Sequence, residues 1–327
     1  MTLKNYTIKR YESNFYAVWN TLIGTAKNAT FLFHRDFMEY HRERFDDYSL
    51  LVFDSKDCVA VLPANRVAST VFSHQGLSYG GLVYDEKLAL ENVIACFAAV
   101  LCFLNESGII QMSYKTVPSF YHKKPSDEIL YALFLAEAKL VRRDSLAVID
   151  LTKEISFSKL RKRGIQKAIK NKLTVREESN FDVFWNEVLI PNLKERHKVS
   201  PIHSVNEMVF LKSKFPRNIR QFNVYYENKI VAGTTVFETE TTAHCQYISK
   251  FEAEKDLGSL DFLHDFLIHE VFAAKQYYDF GNSNEELGKK LNGGLSSWKE
   301  SFGGRTIIQD FYEIETANYY KLETAII

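Results

Sequence analysis

The chain has 327 residues with 41 basic and 41 acidic side chains, so its formal net charge is zero and a surface that wraps a polyanion as a whole is excluded. Apolar residues make up 46% and aromatic residues 14%, with only 14 Gly and 6 Pro, which excludes a disordered or low-complexity chain and predicts two compact domains. Four scattered cysteines, a polar N-terminus and no run near the ~20 apolar residues of a membrane span predict a cytoplasmic protein with reduced thiols, no metal, no DNA partner and no integral membrane segment.

In chain order, periodicity predicts helices near Tyr11 to Thr25 and Arg35 to Phe45, then strands at Tyr48 to Phe53, Cys58 to Pro63 and Arg66 to Phe72. A helix over Leu88 to Asn105, a strand at Ile109 to Tyr114, a helix over Ser126 to Lys139 and a strand at Ser145 to Leu151 complete the first half. The second half opens on a basic helix and repeats the order. Helices near Phe181 to Arg196 and Ser204 to Lys214 precede strands at Arg220 to Tyr226, Ile230 to Phe237 and Thr242 to Lys250. Then come a long helix over Ser259 to Lys275, a strand at Tyr277, a helical region from Asn284 to Phe302 and a last strand at Thr306 to Tyr312. Corresponding helices start about 170 residues apart, which predicts duplication of one α+β domain, with halves at 1–152 and 153–327.

Polar residues concentrate in a few places. The run Lys159 to Arg176 holds eight basic side chains and no acid, with Ile165, Ala168, Ile169 and Leu173 as its apolar stripe. Arg161, Arg163 and Lys167 are therefore phosphate-binding candidates, a solvated basic face being the open alternative. Near the C-terminus, Tyr278-Asp279-Phe280 ends a buried strand and Asn282, Ser283 and Glu285 occupy a turn. Asn292 precedes a helical turn bearing Trp298, Lys299 and Phe302. In the first half, Arg35 and the segment His74 to Gly81, with Tyr79, are the polar sites of interest. His244 and Cys245 are strand neighbours pointing to opposite faces, so they form no thiolate pair. His264 and His269 lie five apart, unsuited to one helical metal face.

The element order resembles the GNAT acyltransferase fold, and its tandem use resembles the Fem-type aminoacyl and acyl transferases. KLRKRGIQKAIKNKLTVRE (Lys159 to Glu177) is similar to the basic helix that opens the second Fem domain, and Trp298-Lys299-Glu300-Ser301-Phe302-Gly303 to that family's C-terminal lysine motif. HRDF, LPAN and DFGNSNEE resemble patterns of Fem-like proteins associated with bacterial surface-polysaccharide synthesis. The resemblance implies tandem GNAT-like domains, each a mixed, mostly antiparallel sheet flanked by helices. In place of the usual Gly-rich phosphate loop this chain reads Glu254-Lys255-Asp256-Leu257-Gly258-Ser259, with one glycine and flanking carboxylates.

That resemblance implies an N-acyltransferase forming an amide on an amino group of a cell-envelope precursor, such as a nucleotide-linked amino sugar. An aminoacyl-tRNA-dependent peptide-bridge ligase and a noncatalytic GNAT-like binding protein are the alternatives. The donor is acyl-CoA, acetyl-CoA included, or aminoacyl-tRNA, held by Lys255, Gly258 and Ser259. Lys299 stabilises the developing oxyanion, or else is a lysine favoured by a helix C-terminus. Asp279 or Glu285, or else a water, takes the proton of the amine. Arg35, His74, Tyr79, Gln246, Asn282, Ser283 and Asn292 bind substrate, with helix capping and turn formation as their structural alternatives.

Overall fold

The computed structural model describes residues 4–251 and 256–325. Contacts divide the chain into two compact units that do not coincide with its two halves. The first takes residues up to Asp144, then Leu287–Lys289 and the chain from Ile308; the second takes Ser145–Glu286 and Lys290–Ile307.

In the first unit, strands Thr7–Arg10, Leu50–Asp54, Asp57–Leu62 and Val83–Tyr84 form one antiparallel sheet in that order. Residues 311–315 pair antiparallel with Gln111–Lys115, which runs parallel to Thr70–Phe72. The helix Leu90–Glu106 supplies the core. Val93, Phe97, Val100, Leu101 and Leu104 recur at helical spacing and are all buried against the sheets. Arg66 to Phe72 is not one strand but a hairpin, Asn65–Val67 with Thr70–Phe72, turned at Ala68 with φ 52°. Arg35 to Phe45 is likewise broken: one α-helical turn, Arg35–Met38, gives way to 3₁₀ turns in which His41 leaves helical geometry at φ −125°.

The second unit is built on Thr174–Glu178, Ile219–Tyr226, Lys229–Glu238 and Thr242–Lys250 in antiparallel order. Tyr277–Asn282 then joins parallel to the last of these and antiparallel to residues 146–150. The helices Lys159–Lys170 and Ser259–Phe266 pack together over this sheet, burying Ile165, Ala168, Leu263 and Leu267. Ile169, assigned to the apolar stripe, is half exposed, because the stripe facing the neighbouring helix is narrower than the sequence pattern implies. The long helix is α-helical only to Phe266 and closes on a π-helical turn, Leu267–Val271.

The expected helical region from Asn284 is corrected in its first half. Asn284–Glu285 and Lys290–Leu291 form a two-stranded ribbon, because Glu286, Leu287 and Gly288 all take positive φ, which no helix tolerates in succession. Helix begins at Gly293 and runs to Glu300, with Asn292 as its N-cap, accepting from Leu295 N at 3.1 Å. Within each unit, the strand that closes a meander runs parallel for three rungs to the strand that follows a long helix: Thr70–Phe72 with 111–113, and 242–244 with 277–279. This is the duplicated motif, at nearly the spacing expected from sequence.

Candidate functional site

The parallel pairing in the second unit stops at His244 opposite Asp279. Past that rung the 242–250 strand continues along its antiparallel partner, with a bulge between Tyr247 and Cys245 that sets Gln246 out of register. The 277–282 strand bulges at 280–281, where Gly281 has φ 72°. Two diverging strands leave backbone and side chains at their fork to be satisfied by something other than a ladder.

Lys299 does part of this. Its Nζ donates to the carbonyl of Gly281 at 3.0 Å and to that of Asn282. The side chain is 3% exposed. It is held in place by the ring cluster of Trp298, Phe302 and Phe280, whose centroids lie 5.2–5.5 Å apart. Burial pushes the ammonium down to about 8, against the opposing pull of the Asp279 charge. Asp279 is 1% exposed, with Oδ2 2.7 Å from His244 Nδ1 and Oδ1 accepting from Gly281 N at 2.6 Å. Cation, carboxylate and imidazole thus share one stretch of bulged backbone.

On the opposite face of the same strands the chemistry is silenced. The Cys245 thiol donates to Tyr278 Oη at 3.1 Å, and that oxygen lies 2.7 Å from His264 Nδ1. Burial pushes the thiol up to about 12 and the His264 imidazole down to about 3, so both stay neutral at physiological pH. Cys245 is no nucleophile.

A second feature lies where the helices Lys159–Lys170 and Ser259–Phe266 meet. A cavity of about 470 Å³ is walled by Arg161, Arg163, Lys167, Lys250, the turn Gly258-Ser259 and Trp298. Two glycines permit the approach: a Cβ on Gly258 would stand 2.2 Å from the Gly164 carbonyl, and one on Gly164 would stand 1.8 Å from the Asp261 carboxylate. The cations are balanced by acids. Arg161 pairs with Asp261, whose carboxyl burial raises to about 6 against the pull of the guanidinium. Lys167 lies 3.2 Å and Lys250 3.5 Å from Asp256. Gly258 and Ser259, at the helix start, line the same wall, and backbone amides of a first helical turn favour an anion.

The structure therefore gathers Arg161, Arg163, Lys167, Gly258 and Ser259 around one cavity, although the sequence pattern treats them as two groups. Lys255 lies outside the described residues. Of the remaining candidates, Ser283 is buried, and neither its hydroxyl nor Gln246 Oε1 has a hydrogen-bond partner among the described residues. Asn282 contributes its carbonyl to Lys299. Glu285 is exposed on the ribbon and accepts from Asn292 Nδ2 at 3.0 Å.

The first-unit candidates are committed to packing. Arg35 is buried, paired with Asp47 and Glu39, and lies 3.7 Å above the Tyr11 ring. His74, at φ 68°, stacks on His41 at 5.3 Å and is pushed down to about 3 by burial. Tyr79 is buried with its hydroxyl 2.8 Å from that of Thr30. The loop that carries His74 and Tyr79 is tied down from neighbouring strands: Lys115 donates to Leu77 O and Gln309 to Ser78 O.

No protein-family model and no curated protein matches the sequence. Solved structures do match the fold. A crystal structure of FemX superposes with a TM-score of 0.67 at 10% identity, covering 97% of this chain and 99% of that one. The C-terminal domain of a putative lysylphosphatidylglycerol synthetase from Agrobacterium fabrum gives 0.59 at 12%, covering 94% and 93%. A tandem GNAT protein from the clavulanic acid biosynthesis pathway gives 0.51 at 12%, covering 95% and 99%. The fold is accordingly a tandem GNAT fold of the Fem type. Likeness at such identities fixes architecture alone, so chemistry has to be argued from the side chains.

Proposed function

We propose that this chain is a transferase that moves an acyl group from an activated donor to an amino group, forming an amide. Lys299 carries the reading: a desolvated ammonium, fixed by two backbone carbonyls where two strands part, is suited to the negative charge that builds on a carbonyl oxygen under attack. The same ammonium satisfies two carbonyls that no ladder pairs, and keeping it charged there costs desolvation.

The cavity beside Trp298 is the donor's phosphate site in this reading. Its four cations, which share the wall with Asp256 and Asp261, suit a pyrophosphate or a nucleic-acid 3′ end, so acyl-CoA, acetyl-CoA included, and aminoacyl-tRNA share the chemistry. Gln246, Ser283, Asn282 and Asn292 would orient the acceptor, a nucleotide-linked amino sugar of a cell-envelope precursor. The similarity to a lysylphosphatidylglycerol synthetase domain favours aminoacyl transfer as the second reading. The setting proposed is the cytoplasm. No helix among the described residues is long and apolar enough to cross a membrane. We keep 1–152 and 153–327 as the duplicated halves of the chain.

The test is a donor screen. Purified protein is incubated with acetyl-CoA or with charged tRNA and an amine acceptor such as a UDP-linked amino sugar, and products are weighed. A mass gain equal to one acyl group supports the reading, and ribonuclease sensitivity assigns the donor to tRNA. Thermal stabilisation by these ligands without any product means a binding protein and overturns it.

A further inference from the structure

We propose that His244 is the base that accepts the proton of the attacking amine, with Asp279 as the carboxylate that positions it; this rests on the transferase reading above. The sequence pattern offers Asp279 and Glu285 for that task, and the geometry disfavours both. Asp279 is 1% exposed, and its two oxygens are engaged by the His244 ring and by Gly281 N. Glu285 lies out on the ribbon, bonded to Asn292. His244 stands on the last rung before the strands part, with its side chain 17% exposed.

The hydrogen bond from Nδ1 to Asp279 selects a tautomer. With a carboxylate accepting there, the neutral ring carries its proton on Nδ1 and its lone pair on Nε2, the state a proton acceptor requires. The lysine completes the arrangement. A Cβ on Gly281 would stand 3.5 Å from His244 Cε1, while the Gly281 carbonyl accepts from Lys299 at 3.0 Å. Base and cation therefore flank a single backbone residue.

The amine nitrogen forms its bond to the acyl carbon, and the carbonyl π pair moves to oxygen, where Lys299 stabilises it. Nε2 of His244 takes the proton from nitrogen. When the carbonyl re-forms, the donor's C–S or C–O bond breaks, and the departing sulfur or oxygen receives the proton from the imidazolium. No covalent enzyme intermediate, oxidant or metal is consumed.

Wild type, His244→Gln and Asp279→Asn are compared in the donor screen, with thermal midpoints and ¹⁵N spectra of the histidine ring recorded for the same samples. Expected are an Nδ1–H tautomer for His244 in the wild type and a fall in kcat of about 10²–10⁴-fold for His244→Gln with KM and midpoint preserved. Asp279→Asn is expected to lower kcat and to disturb the tautomer. An Nε2–H tautomer in the wild type, or His244→Gln turnover within about twofold of wild type, overturns the proposal and leaves the transferase reading intact. A lowered midpoint with unchanged turnover marks the pair as a structural tie and overturns it equally. A wild type that consumes neither acetyl-CoA nor charged tRNA removes the transferase reading, and the base with it.

Discussion

Lys299 shows how one side chain is given a placement that its neighbours in sequence do not announce. Near the end of a short helix it has the profile of an ordinary dipole-favoured surface lysine, yet the rings of Trp298, Phe302 and Phe280 turn it inward onto two carbonyls. Oxyanion stabilisation needs the charged form, and burial brings the ammonium down to about 8. Transfer should therefore fall as pH rises through about 8, a limb read from kcat against pH and absent in Lys299→Met. That variant should lower kcat by about 10²–10³-fold, the cost of losing one positioned donor to an oxyanion. The same shift has a stability sign. Its folded value lies below the ordinary 10.5, so the unfolded chain binds more protons between about 8 and 10.5, and Lys299 makes stability rise with pH across that window. Urea melts at the two ends should show a larger rise for wild type than for Lys299→Met.

Between elements, the cavity proposed for the donor depends on how closely two helices approach. Gly164 and Gly258 are the residues that allow it, and any Cβ at 164 meets the Asp261 carboxylate, itself locked to Arg161. Gly164→Ala should cost about 1–3 kcal/mol through overpacking, seen as a lowered thermal midpoint, and should weaken donor binding by distorting the cavity wall. Arg161→Met is more informative, because it removes a phosphate donor and leaves Asp261 buried without its cation. Burial already holds that carboxyl at about 6, so the variant should bind its proton more tightly still. Donor KM should rise about tenfold with kcat nearly unchanged, and the salt dependence of KM should become shallower. At this scale the basic run was legible as a run, since eight cations without an acid stand in one local stretch. Its partner was not, because Asp256, Asp261 and Lys250 reach the cavity from segments about 90 residues away, and nothing local in the sequence records that pairing.

For the whole molecule, the duplicated order of elements and the compact units follow different boundaries. The chain from Ile308 onward belongs with the first unit: Phe311 to Glu315 pair with the 111–115 strand, and Ile314 and Leu322 enter its core. A fragment ending at residue 152 lacks that strand and is expected to be poorly structured, whereas the full chain is folded. Amide chemical-shift dispersion of the two samples decides the point. Sequence by itself determined the α+β class, the repeated order and the length of most elements, because hydrophobic period, turn residues and charge blocks are local properties. It could not place His244. On its strand it looked like the unreactive neighbour of Cys245, and only the parallel pairing with a strand 35 residues onward sets its ring against Asp279. Nor could it show that Arg35, His74 and Tyr79 are drawn into packing, since burial of a polar side chain is decided by what the rest of the chain brings to it. Periodicity records which face of an element is apolar, while the three-dimensional fold alone decides which polar groups meet there and which are left with water.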